Sequence, residues 1–445
     1  MKKMNVDLLH GNILKGILIF ALPLLFSNIF QQLYNTADTM IVGNALGDVS
    51  LAAIGAATPV FELLVGFALG VGNGLSIVTA RSYGSGDESL IKKSVASSIV
   101  IGFILSIVIA LLGQVFLYPL LQLLNTPSNI INEAYSYISL VTLFVIVMFS
   151  YNLCAGLLRA IGNSIMPLVF LIISSLMNIG LDLFFIVFMG LGIKGAAIGT
   201  VISQLFSTIL CLIYIKTRCP ILVPTAKDFT LDKELYKELA GQGFSMGFMM
   251  SIVSSGTVIL QSAINGLGYL TIAGHTAARK IQAFGTMPVA TIALSMMTFV
   301  SQNKGANNRE RIKIGIKYAF YISIAWGIIA TILALLFARP LVSLISGSSE
   351  NVVIDNGSLY LKINAPFYAI LGILLVLRNS LQGLGRKIMP LVSSIIELVG
   401  KIVFVILFIP SLKYFGVIIC EPIIWCLMCT QLAYAFYTNP YIRGD

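Results

Sequence analysis

Long apolar runs separated by short polar segments dominate the chain, near residues 13–42, 51–79, 95–122, 133–158, 165–189, 195–215, 240–263, 270–300, 314–345, 358–378, 388–409 and 414–437. Each is long enough to cross the roughly 30 Å hydrocarbon core of a bilayer as a helix. The pattern predicts twelve transmembrane helices. The basic residues between the runs are placed unevenly. One side collects Lys2, Lys3 and Lys15; Arg81, Lys92 and Lys93; Arg159; Lys216, Arg218, Lys227, Lys233 and Lys237; Lys304, Arg309, Arg311, Lys313 and Lys317; Arg386 and Lys387; and Arg443. The opposite loops hold Lys194 and Lys413, with Arg339 and Lys362 near the span ends on that side. Basic loops stay in the cytoplasm, so this asymmetry predicts a multi-pass protein of the inner (cytoplasmic) membrane with both termini cytoplasmic.

Of the 445 residues 58% are hydrophobic and 10% are charged, against about 25% charged in soluble domains. This excludes a chain built of soluble domains. The net charge of +10 would point to nucleic acid in a soluble protein; here it is a topology signal, and no nucleic-acid partner is expected. The six cysteines lie in or beside apolar runs and read as small buried hydrophobes, including the Cys426-Leu-Met-Cys429 step. A cleavable signal is not expected, because the first run continues well past the roughly 7–15 residues of a signal core.

The chain repeats itself. Asn44-Ala-Leu-Gly47 returns as Asn265-Gly-Leu-Gly268, and at the same offset Ala52, Ala56, Ala57, Gly84, Ile91 and Lys92 meet Ala273, Ala277, Ala278, Gly305, Ile312 and Lys313. Ile165-Met-Pro-Leu-Val169 returns unchanged as Ile388-Met-Pro-Leu-Val392. Six spans per half put both halves into the membrane from the same side. The expected architecture is all-α, two parallel six-helix lobes related by a pseudo-two-fold along the membrane normal, with an N-lobe at 1–215, a cytoplasmic linker at 216–238 and a C-lobe at 239–445. Parallel repeats of this kind build transporters that alternate access. Channels are more often oligomers of identical subunits, and here two lobes already form one cavity, so a monomer suffices.

Ionisable residues inside a bilayer are costly and mark function. The first half has Asp38, Glu62 and Asp182; the second has His275, Arg279, Lys280, Glu397, Lys401 and Glu421. Asp38 stands five residues before Gly43, Asp182 seven before Met189 and Thr200 six after Lys194, which sets all three about 8–11 Å below the outer end of their helices. Tyr34 and Asn178 are four residues before the two acids, on the same helical faces, and Asn35 is one turn before Asp38. Two carboxylates sharing a low-dielectric cavity cannot both stay ionised cheaply, so such a pair takes up H+ or Na+. The plainer alternative is two acids satisfied separately by Asn and Tyr, acting as helix glue. Glu62 fits either the same cavity or the interface between lobes. In the second half, Arg279-Lys280 with the Glu397/Lys401 pair reads as a mutually neutralised network, with an anionic-substrate site as its rival. Asp38 and Asp182 map through the repeat onto Ile259 and Val405, so ion coupling is expected in the first lobe only. Pro23 interrupts the first helix as a kink or a hinge. The Gly66, Gly70 and Gly74 run is small-residue packing. No HExxH motif is present, and no enzyme is predicted.

With these residues in view the chain resembles the MATE (multidrug and toxic compound extrusion) transporters along essentially its full length. The carriers are the duplicated twelve-span plan, the Gln31-Gln-Leu-Tyr34-Asn35-Thr-Ala-Asp38-Thr39 stretch, Leu51-Ala-Ala-Ile-Gly55, and Asn178-Ile-Gly-Leu-Asp182. The resemblance is greatest to the DinF-like prokaryotic branch. It implies an N-lobe cation site at Asp38, Asn178, Asp182 and Thr200, where Na+ is a possible ion, with Tyr34 and Asn152 beside it and Pro23 at a helix-one bend. The Asp-x-x-Gln step of the NorM-like branch reads Asn379-Ser-Leu-Gln382 here. The expected function is a cation-coupled antiporter that exports amphipathic, mostly cationic organic compounds, with H+ or Na+ as coupling ion and no other cofactor. Asn35, Glu62, His275, Arg279 and Lys280 are candidates for the substrate cavity. The alternative is a flippase or exporter of an anionic lipid-linked or polyprenyl substrate, with Arg279 and Lys280 on its phosphate.

Overall fold

The structure, a computed structural model, describes residues 5–124 and 126–444; the expected topology signals Lys2 and Lys3 lie outside them. All regular structure among these residues is helical. The first half runs through α1 (Ile13–Leu46), α2 (Asp48–Ser85), α3 (Glu88–Leu123), α4 (Ile131–Leu143), α5 (Val145–Ala160), α6 (Ile165–Asp182) and α7 (Ile193–Arg218). The second runs through α8 (Lys233–Asn265), α9 (Tyr269–Gly305), α10 (Arg309–Ser346), α11 (Asn351–Asn364), α12 (Tyr368–Gly383), α13 (Ile388–Val403), α14 (Ile409–Leu412), α15 (Tyr414–Tyr437) and α16 (Pro440–Arg443). Eleven helical stretches are long and apolar enough to cross a membrane, and α4 with α5, bent by 51° at Phe144, makes the twelfth if the pair is one span.

The internal repeat has a structural cause at its turns. Gly47 and Gly268 both take positive φ, 81° and 93°, in the tight connection from the first to the second helix of each half, a conformation that favours glycine. Asp87 and Asn308, at the same register, both cap the next helix by accepting from the backbone three residues on, Leu90 N–H at 3.0 Å and Arg311 N–H at 3.1 Å. Late in each half the α-helix passes into a π turn, Leu183–Phe188 after α6 and Phe404–Phe408 after α13.

The chain packs as two compact units. The first takes Leu22–Ser251 with the start of the chain up to Leu9, and the second takes His10–Ala21 with Ile252–Asp445. Compared with lobes divided at a linker, each unit therefore holds a helix end from the other half of the sequence. Within the first unit the cause is glycine. A Cβ on Gly70 would lie 2.8 Å from Gly247 Cα, and one on Gly74 would lie 2.7 Å from Gly243 Cα. Only paired glycines allow α2 and the start of α8 to approach backbone to backbone. Gly66, the third member of the run, meets nothing. The linker joins the same core, with Leu222 and Leu235 buried in one cluster with Leu75, Val95 and Leu157.

Pro23 does not interrupt α1. The helix continues from Ile13 to Leu46 with the proline inside it, and Ser27 Oγ donates to the Pro23 carbonyl at 2.9 Å. The division between the units falls beside it, between Ala21 and Leu22. All six cysteines are free thiols, four of them buried.

Candidate functional site

In the first unit α1, α6 and α7 bring their polar residues together. Asp182 is the last residue of α6 before the π turn, an irregularity often found at functional positions. Its carboxyl group lies within hydrogen-bonding reach of the Asp38 carboxyl from α1. Asn178 and Asp182 are both fully buried. In the amide orientation that satisfies both ends, Asn178 donates to Asp182 Oδ2 at 2.8 Å and accepts from the Thr200 backbone N–H at 3.1 Å. Tyr34 stands close enough to the Thr200 side chain to interact with it. The i, i+4 spacing of Asn178 and Asp182 thus produces one clamp that ties α6 to α7.

Two features were not visible in the sequence. A Cβ at Gly199 would overlap Asp182 Oδ1, so only glycine lets that carboxylate lie flat on α7 next to Thr200. Tyr137 of α4 stands close enough to Asp38, Tyr34 and Asp182 to interact electrostatically with all three. It is related to Tyr360 by the same separation as the two Ile-Met-Pro-Leu-Val copies. That repeat is the signal by which it could have been found.

The group faces a cavity of about 550 Å3, lined by Tyr34, Asn35, Asp38, Glu62, Asn152 and Thr200 among others. Glu62 therefore belongs to the same cavity as the acid pair. Asn152 lines it too, but its amide donates to Met148 O of its own helix at 2.9 Å. The walls are aromatic and apolar as well as polar, with Phe61, Leu69, Tyr137 and Tyr151. Asp38 Oδ1 and Gln204 Oε1 are buried acceptors with no partner among the described residues, and both residues line this space. Two acids, one with an orphaned oxygen, and the orphaned Gln204 oxygen form a donor set that suits a proton or a hard cation and repels an anion.

The second unit arranges its charges differently. Arg279 Nη1 donates to Glu421 at 2.8 and 2.9 Å and to Gln282 Oε1 at 2.8 Å. Tyr360 donates its hydroxyl to Gln282 Oε1 at 2.8 Å and to Glu421 Oε2 at 3.1 Å. His275 Nδ1 lies 3.3 Å from the Tyr414 hydroxyl, its ring edge-on to Tyr360. Glu397 stands 2.9 Å from Lys401 Nζ and 3.7 Å from Arg378 Nη2, and Lys401 also interacts electrostatically with Glu421. The membership of the expected network of Arg279-Lys280 with Glu397/Lys401 is thus corrected. Arg279 pairs with Glu421 because α9 and α15 face each other there, Arg378 supplies the second cation to Glu397, and Lys280 is exposed and joins neither cluster. The space among His275, Arg279, Tyr360, Lys401 and Glu421 is about 20 Å3, the scale of one water rather than an organic ligand.

A duplicated helical chain with membrane-length spans and a buried acidic cluster open to a cavity is a polytopic transporter by its construction. The MatE family pattern matches residues 23–184 and, a second time, 246–407. The chain belongs to the MATE family, whose members are transporters and not enzymes. It is 28% identical over 432 residues to the "Probable multidrug resistance protein YoeA" of Bacillus subtilis, covering 94% of this chain and 92% of that one. It is 27% identical over 403 residues to the "FAD transporter" of Shewanella oneidensis, covering 88% and 87%. Its fold matches that of a MATE transporter crystallised in complex with MaL6, with a TM-score of 0.90 at 23% identity and all of both chains covered.

Proposed function

We propose that this chain is a cation-coupled antiporter that exports amphipathic, mainly cationic organic compounds by alternating access, with its coupling site at Asp38 and Asp182. One observation carries the reading: two carboxyl groups lie in contact, and one of them, Asp38, has an unpartnered oxygen and lines a cavity large enough for an organic molecule. Two ionised carboxylates in contact repel, and one H+ or Na+ between them removes the repulsion. Asn178, Thr200 and Tyr34 hold the acids and offer further oxygens. Phe61, Tyr137 and Tyr151 supply aromatic faces for a cationic substrate, and Glu62 supplies a counter-charge. Coupling follows when cation and substrate prefer different states of the same cavity. Export by the family's "multidrug resistance" members fits this reading. The reading includes placement in the cytoplasmic membrane as a monomer with both termini in the cytoplasm.

Dye efflux from proteoliposomes, with a pH gradient and a Na+ gradient imposed separately, tests it. The expected result is efflux driven by one gradient and lost in Asp38→Asn. Undiminished efflux in that variant would sink the proposal.

The rival is export of an anionic lipid-linked substrate through Arg279 and Lys280. A relative named as an FAD transporter keeps anionic cargo in view. Against it, the Arg279 guanidinium is committed to Glu421. Charge reversal at Arg279 and Lys280 that abolished transport of anions alone would favour the rival.

A further inference from the structure

The first unit has a second large cavity that shares no residue with the acidic one. It is a crevice of about 430 Å3 between α3 and α7, floored by α5. The two cavities use opposite faces of α5: Met148, Tyr151 and Asn152 look into the acidic cavity, while Phe149, Leu153 and Leu157 look into the crevice. Its lips are apolar and exposed, as lipid-facing residues are, with Ile99 at 43%, Phe103 at 56% and Leu212 at 52%. At the loop end it is closed by Leu222–Pro224, where one charged residue, Lys216, enters the lining. Lys216 makes no ion pair with any described residue, and no acid lines the crevice.

We propose that this crevice binds one anionic phospholipid, an acyl chain lying between α3 and α7 on the floor of α5 and the phosphate resting on Lys216. The chemistry of the wall selects the occupant. Its length is apolar, its volume falls within the roughly 300–1,000 Å3 of ligand sites, and its opening lies among side chains that already face hydrocarbon. A soluble substrate would have to reach it through lipid. A long cationic side chain at the polar end, its stem along apolar surface and its head free, is the arrangement that holds an anionic headgroup. Zwitterionic and anionic lipids present the same chains, so the contribution of Lys216 appears as headgroup selectivity.

Native mass spectrometry of the full-length, delipidated protein in detergent, titrated with phosphatidylglycerol or phosphatidylcholine, tests this. The wild type should retain one phosphatidylglycerol with about fivefold preference, the size expected of one basic side chain at a membrane surface. Lys216→Glu should lose the preference, Lys216→Arg should keep it, and Ile99→Trp, which fills the mouth from a lipid-facing position, should lose retention of both lipids. Each variant is first shown to unfold at the wild-type temperature in lipid-free detergent. Equal retention of the two lipids by the wild type, or an unchanged preference in Lys216→Glu, overturns the proposal. So does an Ile99→Trp variant that keeps its lipid but loses dye binding, because the crevice would then belong to the substrate's path.

Discussion

Tyr137 and Tyr360 occupy the same place in the two halves of the repeat, yet the groups around them differ in kind. Around Tyr137 stand Asp38 and Asp182, acids without a basic partner among the described residues, next to a cavity of about 550 Å3. Around Tyr360 stand Arg279, Glu421 and Gln282, joined by short hydrogen bonds about a space of about 20 Å3. An ion pair completed within the protein has no affinity left for a mobile ion, and breaking it exposes a buried charge. An acid pair without its counter-ion is the reverse, because it is stabilised only when a cation arrives. On the proposed reading, duplication gives one fold a half that stores charge and a half that exchanges it.

The largest effects should separate these roles. Asp38→Asn or Asp182→Asn should reduce gradient-driven efflux by about 5–150-fold, the range of a lost coupling energy, while leaving the unfolding midpoint in detergent unchanged or raised. Glu421→Gln should do the opposite. It leaves the partly exposed Arg279 guanidinium without its counter-charge, read as a lowered midpoint. Efflux per folded molecule should stay close to wild type. Arg279→Met combined with Glu421→Met should recover most of the stability. A transport defect in that double variant with normal stability would break the comparison, because the second cluster would then be exchanging charge too.

How much of this was legible in the sequence depends on the range of each contact. The twelve runs, the turn glycines Gly47 and Gly268 and the Asn178/Asp182 clamp are local patterns, and they stand where the spacing put them. The meeting of Asp38 with Asp182 was legible only through depth, since both acids lie at a similar distance from a helix end. Arg279 with Glu421 was not legible: the partners are on α9 and α15, and nothing in either helix favours that pair over Lys401, which is also near. The bend at Phe144 and the continuity of α1 through Pro23 depend on packing, which overrides what the local residues suggest. The gathering of α8's first turns into the unit of α2 depends on Gly70 and Gly74 finding Gly247 and Gly243, a match between two separate small-residue stripes.

A smaller effect tests how tightly the acid pair is held. Gly199→Ala sets a methyl group against Asp182 Oδ1, and overpacking of this kind costs about 1–3 kcal/mol. The displacement falls on the carboxylate itself, so cation dependence should shift to higher concentration even where the protein remains folded. Gly66→Ala, in open space, is the control and should change neither. Equal behaviour of the two variants would show that Asp182 is not fixed by contact with α7.

The finest comparison removes one oxygen from each half. In Tyr360→Phe the Glu421, Gln282 and Arg279 groups each lose a hydrogen-bond partner inside the unit, and unsatisfied buried groups cost about 1–3 kcal/mol. Stability should fall by that amount with little change in the ion dependence of transport. Tyr137→Phe removes a hydroxyl that lines the cavity beside Asp38, where solvent can replace it. Its stability cost should stay within about 0.5 kcal/mol, and its effect should appear in the half-saturating concentration of the coupling ion. Measuring both quantities in both variants gives four values. The reading requires them to cross: the second-half tyrosine must move stability, and the first-half tyrosine must move ion dependence. If both variants moved the same quantity, the repeated tyrosine would be performing one task in both halves, and the contrast between exchanging and stored charge would lose its support.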